Sequence, residues 1–257
     1  MRIVIFTSNA IRHKYVANAL AERADDALVI VECRQQDTEL TFQKSALIAK
    51  HFNLRAQVEK EMFADNDTFH VETLPLLPKE VNLHCTYATI KDFNPDAMFV
   101  FGSSIIKEPL LSLLPLGRFI NLHLGLSPYY RGSGTNFWPF VNNELDYVGS
   151  TILHIDAGID TGDIISHVQP VFDLSDNVHT IGCKVIKSSV VNLIEIMNLL
   201  EEGQELNRVK QWKVCNERYY LNRDFNEEAL LKYKQNMAEG MIEKYLKGSR
   251  AALRLVT

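Results

Sequence analysis

Met1-Arg2-Ile3-Val4-Ile5-Phe6-Thr7-Ser8-Asn9 opens the chain, and its reading decides the fold. Arg2 to Phe6 is a short apolar run rich in β-branched residues, too short and too strand-like for a signal peptide. Thr7-Ser8-Asn9 are turn and cap residues, and a helical pattern runs on from about Ala10 to Arg23. The order is strand, loop, helix. Leu28 to Glu32 reads as a second buried strand. Thr41 to Phe63 is amphipathic and helical, with Leu47, Ile48 and Phe52 on one face. Asn94-Pro95-Asp96 ends a further helical stretch. Ala97 to Phe101 is a third strand, closed by Gly102, and Arg118 to His123 a fourth. Apolar strands alternating with helices predict a Rossmann-like α/β fold, a mostly parallel sheet with helices on both faces. Ligands of such sheets sit beyond the carboxyl ends of the strands. Ser8, Asn9, Asn121 and His123 are all placed at such ends.

The second half changes character. Ser150 to Ile155 and Asp163 to Val171 are extended runs around a Gly/Asp-rich loop, a long hairpin arrangement. Val178 to Leu200 is a long amphipathic helix ending near Gly203. Past Val209 the pattern is strand, loop and a last helix from about Glu227 to Lys247, capped by Asn226. Its Glu227 and Glu228 sit in the first turn and Lys244 and Lys247 in the last, matching the helix dipole. This divides the chain into a main domain, 1–203, and a small C-terminal strand-and-helix appendage, 204–257.

Composition narrows the function. The chain has 257 residues, 46% hydrophobic and 23% charged, with a net charge of −5. A soluble protein without a dense Lys/Arg stripe is not expected to take nucleic acid as its main partner. No apolar run approaches the roughly 20 residues of a membrane span. Cys33, Cys85, Cys183 and Cys215 are scattered, without CxxC or metal-ligand spacing, which predicts reduced thiols, no metal and a cytoplasmic location.

The chemistry concentrates in Asn121-Leu122-His123-Leu124-Gly125-Leu126-Ser127-Pro128-Tyr129-Tyr130-Arg131-Gly132 and in Asp156-Ala157-Gly158-Ile159-Asp160-Thr161-Gly162-Asp163. In a strand, residues i and i+2 share a face, so Asn121 and His123 can converge on one pocket. An imidazole carries protons near neutral pH, an amide N–H can donate to an oxyanion, and Asp160 can orient and charge-stabilise the imidazole. Asn121, His123 and Asp160 are therefore the candidate catalytic residues for acyl transfer to an amine. The loop Ser8, Asn9, Arg12, His13 and Lys14 opens a helix at a strand end, where free N–H groups and the dipole favour an anion. With Tyr129, Arg131 and Gly132 it is the candidate substrate site, an aromatic face for stacking and cations for phosphate.

Asn121-x-His123, Pro128 and Arg131-Gly132, followed by Asp160-Thr161-Gly162-Asp163, resemble the signature of formyltransferases that use N10-formyltetrahydrofolate. The resemblance covers roughly residues 1–200. It implies the formyltransferase fold, Asn121, His123 and Asp160 as a catalytic trio, and formyl folate as co-substrate without a metal. It also implies a pterin site at Ser104, Ile105 and Ile106 and at Asp156, Ala157 and Gly158. One departure lies beside the trio: relatives often carry Ser-Leu-Leu-Pro where this chain has Gly125-Leu126-Ser127-Pro128. Among family members the chain is most similar to the sugar-nucleotide N-formyltransferases. The reaction this implies is formyl transfer to the amine of a nucleotide-linked dideoxy amino sugar, such as a perosamine-type sugar, for surface polysaccharide (O-antigen) synthesis. A small phosphorylated amine such as glycinamide ribonucleotide is the alternative acceptor, and a non-catalytic folate- or nucleotide-binding module the alternative of another class. Oligomeric state stays open, the last helix being free to pair two copies as a homodimer.

Overall fold

The computed structural model describes residues 1–34, 45–215 and 217–257. In chain order its elements are β1 (Arg2–Ser8), α1 (Ile11–Arg23), β2 (Asp26–Glu32), α2 (Ala46–Met62), β3 (Thr73–Leu76), α3 (His84–Phe93), β4 (Ala97–Val100) and β5 (Phe119–Leu124). Then follow β6 (Tyr130–Gly132), α4 (Trp138–Asn142), β7 (Ser150–His154), β8 (Ile164–Val168), α5 (Val178–Glu201), β9 (Arg218–Tyr220), α6 (Glu227–Ala238) and α7 (Met241–Lys247). One seven-stranded sheet runs in the order β3-β2-β1-β4-β5-β7-β8. The first five strands of that order are parallel, and β7 and β8 are antiparallel to their neighbours. The expected mostly parallel sheet and the β7–β8 hairpin are both present.

β1 explains why the opening run is apolar throughout. Ile3 and Ile5 pack with Val16, Ala17 and Leu20 of α1 and with Ile186, Val190 and Leu193 of α5. Val4 and Phe6 pack on the other face with Ile90 of α3, Met98 and Val100. Successive strand residues face opposite ways, so a strand covered on both faces has no polar positions to spare. From β1 the chain builds outward to β2 and β3, then returns to lay β4 on the opposite side of β1. The loops after β1 and β4 therefore part at this reversal, which opens a cleft at the carboxyl ends of the strands.

Two expectations need correction, and one strand is unforeseen. The edge strand β3 gives no strand signal in the sequence because it is short and carries Pro75, which cannot donate to a ladder and is confined to edges. The expected single helix from Glu227 to Lys247 is two, α6 and α7, parted at Gly240, whose φ of +75° leaves the helical region. Its N-cap is as expected, with the Asn226 side chain accepting from the Ala229 N–H. The helix expected from Thr41 begins, in the described residues, at Ala46 behind an N-cap Ser45; Thr41 itself lies outside them.

Residues beyond 203 are fastened to the body. β9 pairs in parallel with β6, and Tyr220 stacks on Trp138 at 4.0 Å. Leu230, Tyr233, Met241 and Ile242 share a buried cluster with Tyr130, Phe140, Val178 and Ile181. Among the described residues no helix is long and apolar enough to cross a membrane.

Candidate active site

β5 places Asn121 and His123 on one face, as the i, i+2 spacing requires. The loop between β7 and β8 brings Asp160 to them. Its carboxylate accepts from Asn121 Nδ2 at 2.8 Å through one oxygen and faces His123 Nδ1 at 3.1 Å through the other. Burial pushes the Asp160 carboxyl up, but the hydrogen bonds and charge of His123, the Asn121 amide and nearby Arg131 outweigh it and hold it below the ordinary range. The carboxylate thus fixes the His123 tautomer with the proton on Nδ1. His123 Nε2 is buried and has no hydrogen-bond partner among the described residues. Asn121 keeps a second amide hydrogen, since its NH₂ carries two.

The Asp160 loop is held by its own sequence. Asp160 itself has φ +51°. Asp156 accepts from the Gly158 N–H at 3.0 Å and from the Thr161 hydroxyl at 2.9 Å. A Cβ at Gly162 would come within 1.7 Å of the His154 carbonyl oxygen, so only glycine fits there. Gln211, from the tail, donates to the carbonyls of Asp160 and Gly162 at 2.8 and 3.1 Å. Sequence reasoning missed Gln211, and nothing in its neighbourhood signals it.

Gly125, the departure from the family pattern, sits directly against the trio. Its φ is +144°, and a Cβ there would stand 2.6 Å from Thr135 Cβ and 2.9 Å from His123 Nε2. In this chain Thr135 occupies the space that a side chain at 125 would need, its hydroxyl bonded to the Leu124 carbonyl.

Two cavities meet at the trio. The smaller, about 150 Å³, lies between the loop after β4 and the Asp160 loop, and is lined by Ser104, Ile105, Ile106, Asp156 and Gly158 together with Asn121 and Asp160. Ile105 is 50% exposed while Ile106 is core, so the two isoleucines divide between surface and packing. Ala157 is exposed and outside this lining. The loop after β4 is pinned from behind: Glu32, fully buried, accepts from the Ser104 N–H at 2.8 Å and its hydroxyl at 3.0 Å, and from the Lys79 N–H and Arg34. Asn82 bridges the Ile105 carbonyl and the Lys107 N–H, both at 2.8 Å. The larger cavity, about 960 Å³, is lined by Asn121, His123, Asp160, Arg12, His13 and Gly132 and by an aromatic wall from α2, α4 and the tail.

The expected cationic cluster at Arg12, His13 and Lys14 does not form. Consecutive helical residues point about 100° apart, so three in a row cannot converge. Arg12 is paired with both oxygens of Glu59 at 2.9 and 3.0 Å. His13 is buried under Gly102 and bonded to Ser8 Oγ at 2.6 Å; burial first, then Arg12 and Arg34, hold it well below the ordinary imidazole range. Lys14 turns away to the Asp67 carbonyl. Asn9 is committed to the backbone of Arg34 at both its amide groups. Tyr129 also leaves the cavity, its hydroxyl bonded to the backbone of Arg254. Arg131 pairs with Glu217 at 2.8 Å at the margin of the site.

Residues 1–196 match the family model described as formyl transferase. A methionyl-tRNA formyltransferase of Desulforamulus reducens is 35% identical over 131 residues, 50% of this chain and 41% of that protein. The chain thus spans less than half the length of the curated relatives it matches. Among solved structures, a 4-N formyltransferase from Francisella tularensis superposes with a TM-score of 0.56 at 20% identity, over 87% of this chain and 77% of that one. An N-formyltransferase from Helicobacter canadensis, in complex with folinic acid and dTDP-3-aminofucose, gives 0.54 at 18%, over 88% and 73%. At such identities the likeness is one of fold.

Proposed function

The chain belongs to the formyl transferase family, and on that premise we propose that it moves the formyl group of N10-formyltetrahydrofolate to the amine of a nucleotide-linked amino sugar. The observation that carries the proposal is the position of Asn121 and Asp160, which line both cavities, with His123 opening on the larger. The smaller cavity would take the pterin, the larger the acceptor, and the trio stands where formyl carbon and amine meet.

The chemistry follows from the hydrogen bonds. The acceptor nitrogen attacks the formyl carbon, and the carbonyl oxygen becomes an oxyanion. The free Asn121 N–H donates to it, as does His123 once Nε2 is protonated. With Nδ1–H held by Asp160, Nε2 is the base that accepts the proton of the attacking nitrogen. The imidazolium formed is stabilised by the carboxylate, and Nε2 returns the proton to the departing folate nitrogen. Residues 1–203 carry this chemistry, while 204–257 steady the Asp160 loop through Gln211 and wall the acceptor cavity. The acceptor in this proposal is an amino sugar for surface polysaccharide, handled in the cytoplasm; the fold neighbour from Helicobacter canadensis is in complex with dTDP-3-aminofucose.

A second reading, transfer to methionyl-tRNA, has the relative from Desulforamulus reducens behind it. The net charge of −5 and the lack of a Lys/Arg stripe favour a small acceptor. Purified protein should consume N10-formyltetrahydrofolate with an amino-sugar nucleotide from a panel, and not with methionyl-tRNA or glycinamide ribonucleotide alone. Turnover only with one of the latter two would replace the acceptor; binding of folate without turnover on any of them would favour a binding module.

A further inference from the structure

The segment Leu221 to Phe225 has no part in the chemistry above, yet it is built with care. Asp224 accepts from the Leu221 N–H at 2.6 Å, and its own N–H donates back to the Leu221 carbonyl at 3.0 Å. This closed turn sends Phe225 inward against Phe137 at 5.0 Å and Phe52 at 5.3 Å. Behind them lie two imidazoles, His51 of α2 and His179 of α5, with ring centroids 4.4 Å apart. His51 also meets Phe137 and Phe225 at 5.7 and 5.5 Å. Leu221, Phe225, Phe137, Phe52, His51 and His179 line the larger cavity, the same space that reaches His123.

The wall these residues form is aromatic and uncharged. Burial first, then nearby charged or titratable groups, push His51 down to about 4 and His179 to about 3, so both are uncharged at neutral pH. A neutral imidazole offers one donor and one acceptor. His179 is 6% exposed, and its Nε2 has no hydrogen-bond partner among the described residues. A buried polar atom left without a partner costs about 1–3 kcal/mol, and native structures rarely carry one without a use. The neighbouring cations are occupied: Arg12 by Glu59, and Arg55 over the Phe52 ring at 4.6 Å and 3.8 Å from Glu59. The chamber therefore suits an uncharged aromatic ring with hydrogen-bonding edges better than a phosphate.

We propose that this chamber, walled by His51, His179, Phe137 and Phe225, seats the nucleobase of the acceptor. The inference rests on the reading that the acceptor is a nucleotide-linked amine. At about 960 Å³ the cavity is at the upper end of small-ligand sites, roughly 300–1,000 Å³. One molecule can lay its base against the wall these rings form and place its amine beside His123. The tail then has a function, since Leu221 and Phe225 close the wall that distinguishes one base from another.

The test is calorimetric titration of the full chain with UDP, dTDP, GDP and CDP, with inorganic pyrophosphate, and with 5-formyltetrahydrofolate as an unreactive donor. One nucleoside diphosphate should bind at least tenfold tighter than pyrophosphate. His179→Phe and, separately, Phe225→Ala should each remove tenfold or more of that preference and leave 5-formyltetrahydrofolate affinity unchanged; two variants at different elements guard against a fold defect in either. The proposal is overturned if pyrophosphate binds as tightly as every nucleoside diphosphate. It is equally overturned if both folded variants keep the preference, or if they lose the folate instead of the nucleotide. Nucleotide binding without any 5-formyltetrahydrofolate binding would leave the chamber in place and remove the formyl-transfer reading.

Discussion

Asp160→Asn changes one atom and should nearly abolish turnover. The carboxylate accepts from Asn121 Nδ2 at 2.8 Å and from His123 Nδ1 at 3.1 Å, one oxygen for each. An amide of the same shape has a single oxygen. If that oxygen keeps Asn121, its NH₂ faces His123 Nδ1, and the ring must move its proton to Nε2 to accept there. His123 then has no base on the cavity side and no carboxylate to stabilise its imidazolium. Imposing the wrong tautomer on an acid–base histidine in this way costs on the order of 10⁴ in rate. Allowing for the second donor retained by Asn121, we expect kcat to fall about 10³–10⁴-fold, roughly 4–5.5 kcal/mol of barrier. The assay is single-turnover formyl transfer at saturating donor and acceptor, with melting temperature and 5-formyltetrahydrofolate affinity measured on the same preparation. Both of these should stay near wild type, because the substitution preserves volume. A folded, folate-binding Asp160→Asn protein with kcat within tenfold of wild type would refute the proposed proton route.

Other substitutions probe the supports. Gly125→Ala puts a Cβ 2.9 Å from His123 Nε2 and 2.6 Å from Thr135 Cβ; kcat should drop about 10²-fold, the scale of an ångström's misplacement, and Gly125→Ser should fare no better despite matching the family. Unchanged kinetics would show that the loop yields freely. Glu32→Gln leaves an NH₂ group opposite donors that the carboxylate now satisfies at Ser104 and Lys79, so KM for the formyl donor should rise about tenfold, within the 1–3 kcal/mol range of a mismatched buried group, while acceptor KM holds. An equal rise in both constants would mean a general loosening. His51 and His179 titrate at about 4 and about 3 in the fold against roughly 6.5 when unfolded. Between those values the unfolded chain binds more protons, so stability should fall as pH drops below 6.5, by up to about 1.4 kcal/mol per pH unit for each group. Urea melts of a His51→Phe/His179→Phe protein between pH 7 and 5 should show a flatter profile, and an identical slope would contradict the burial argument.

The sheet was legible because β1, β2 and β4 are buried on both faces and leave continuous apolar runs, which few other arrangements produce. Asn121 and His123 were legible for a related reason: strand periodicity sets their common face without knowledge of any partner. Asp160 was legible only as a carboxylate able to orient an imidazole, since nothing local says that a Gly-flanked loop 39 residues from Asn121 will fold back onto it. The loop Ser8 to Lys14 shows where one-dimensional reading fails. Its charges are adjacent in sequence, but the helical turn disperses them, and Glu59 and the Asp67 carbonyl claim Arg12 and Lys14 from distant segments. Glu32, Asn82, Gln211 and the His51–His179 pair escaped for the same cause. Each acts through partners brought close only by the fold, and no spacing rule connects α2 to the first turn of α5.

In the proposed reaction the trio stands between a donor cavity and an acceptor cavity. A crystal structure of the chain soaked with 5-formyltetrahydrofolate and the nucleotide sugar that supports turnover would locate both ligands. The pterin should lie between Ile105 and the Asp156–Gly158 turn, with the acceptor amine in the larger cavity within hydrogen-bond reach of His123 Nε2. A pterin among His51, Phe137 and Phe225, or an amine remote from His123, would contradict the proposed reaction.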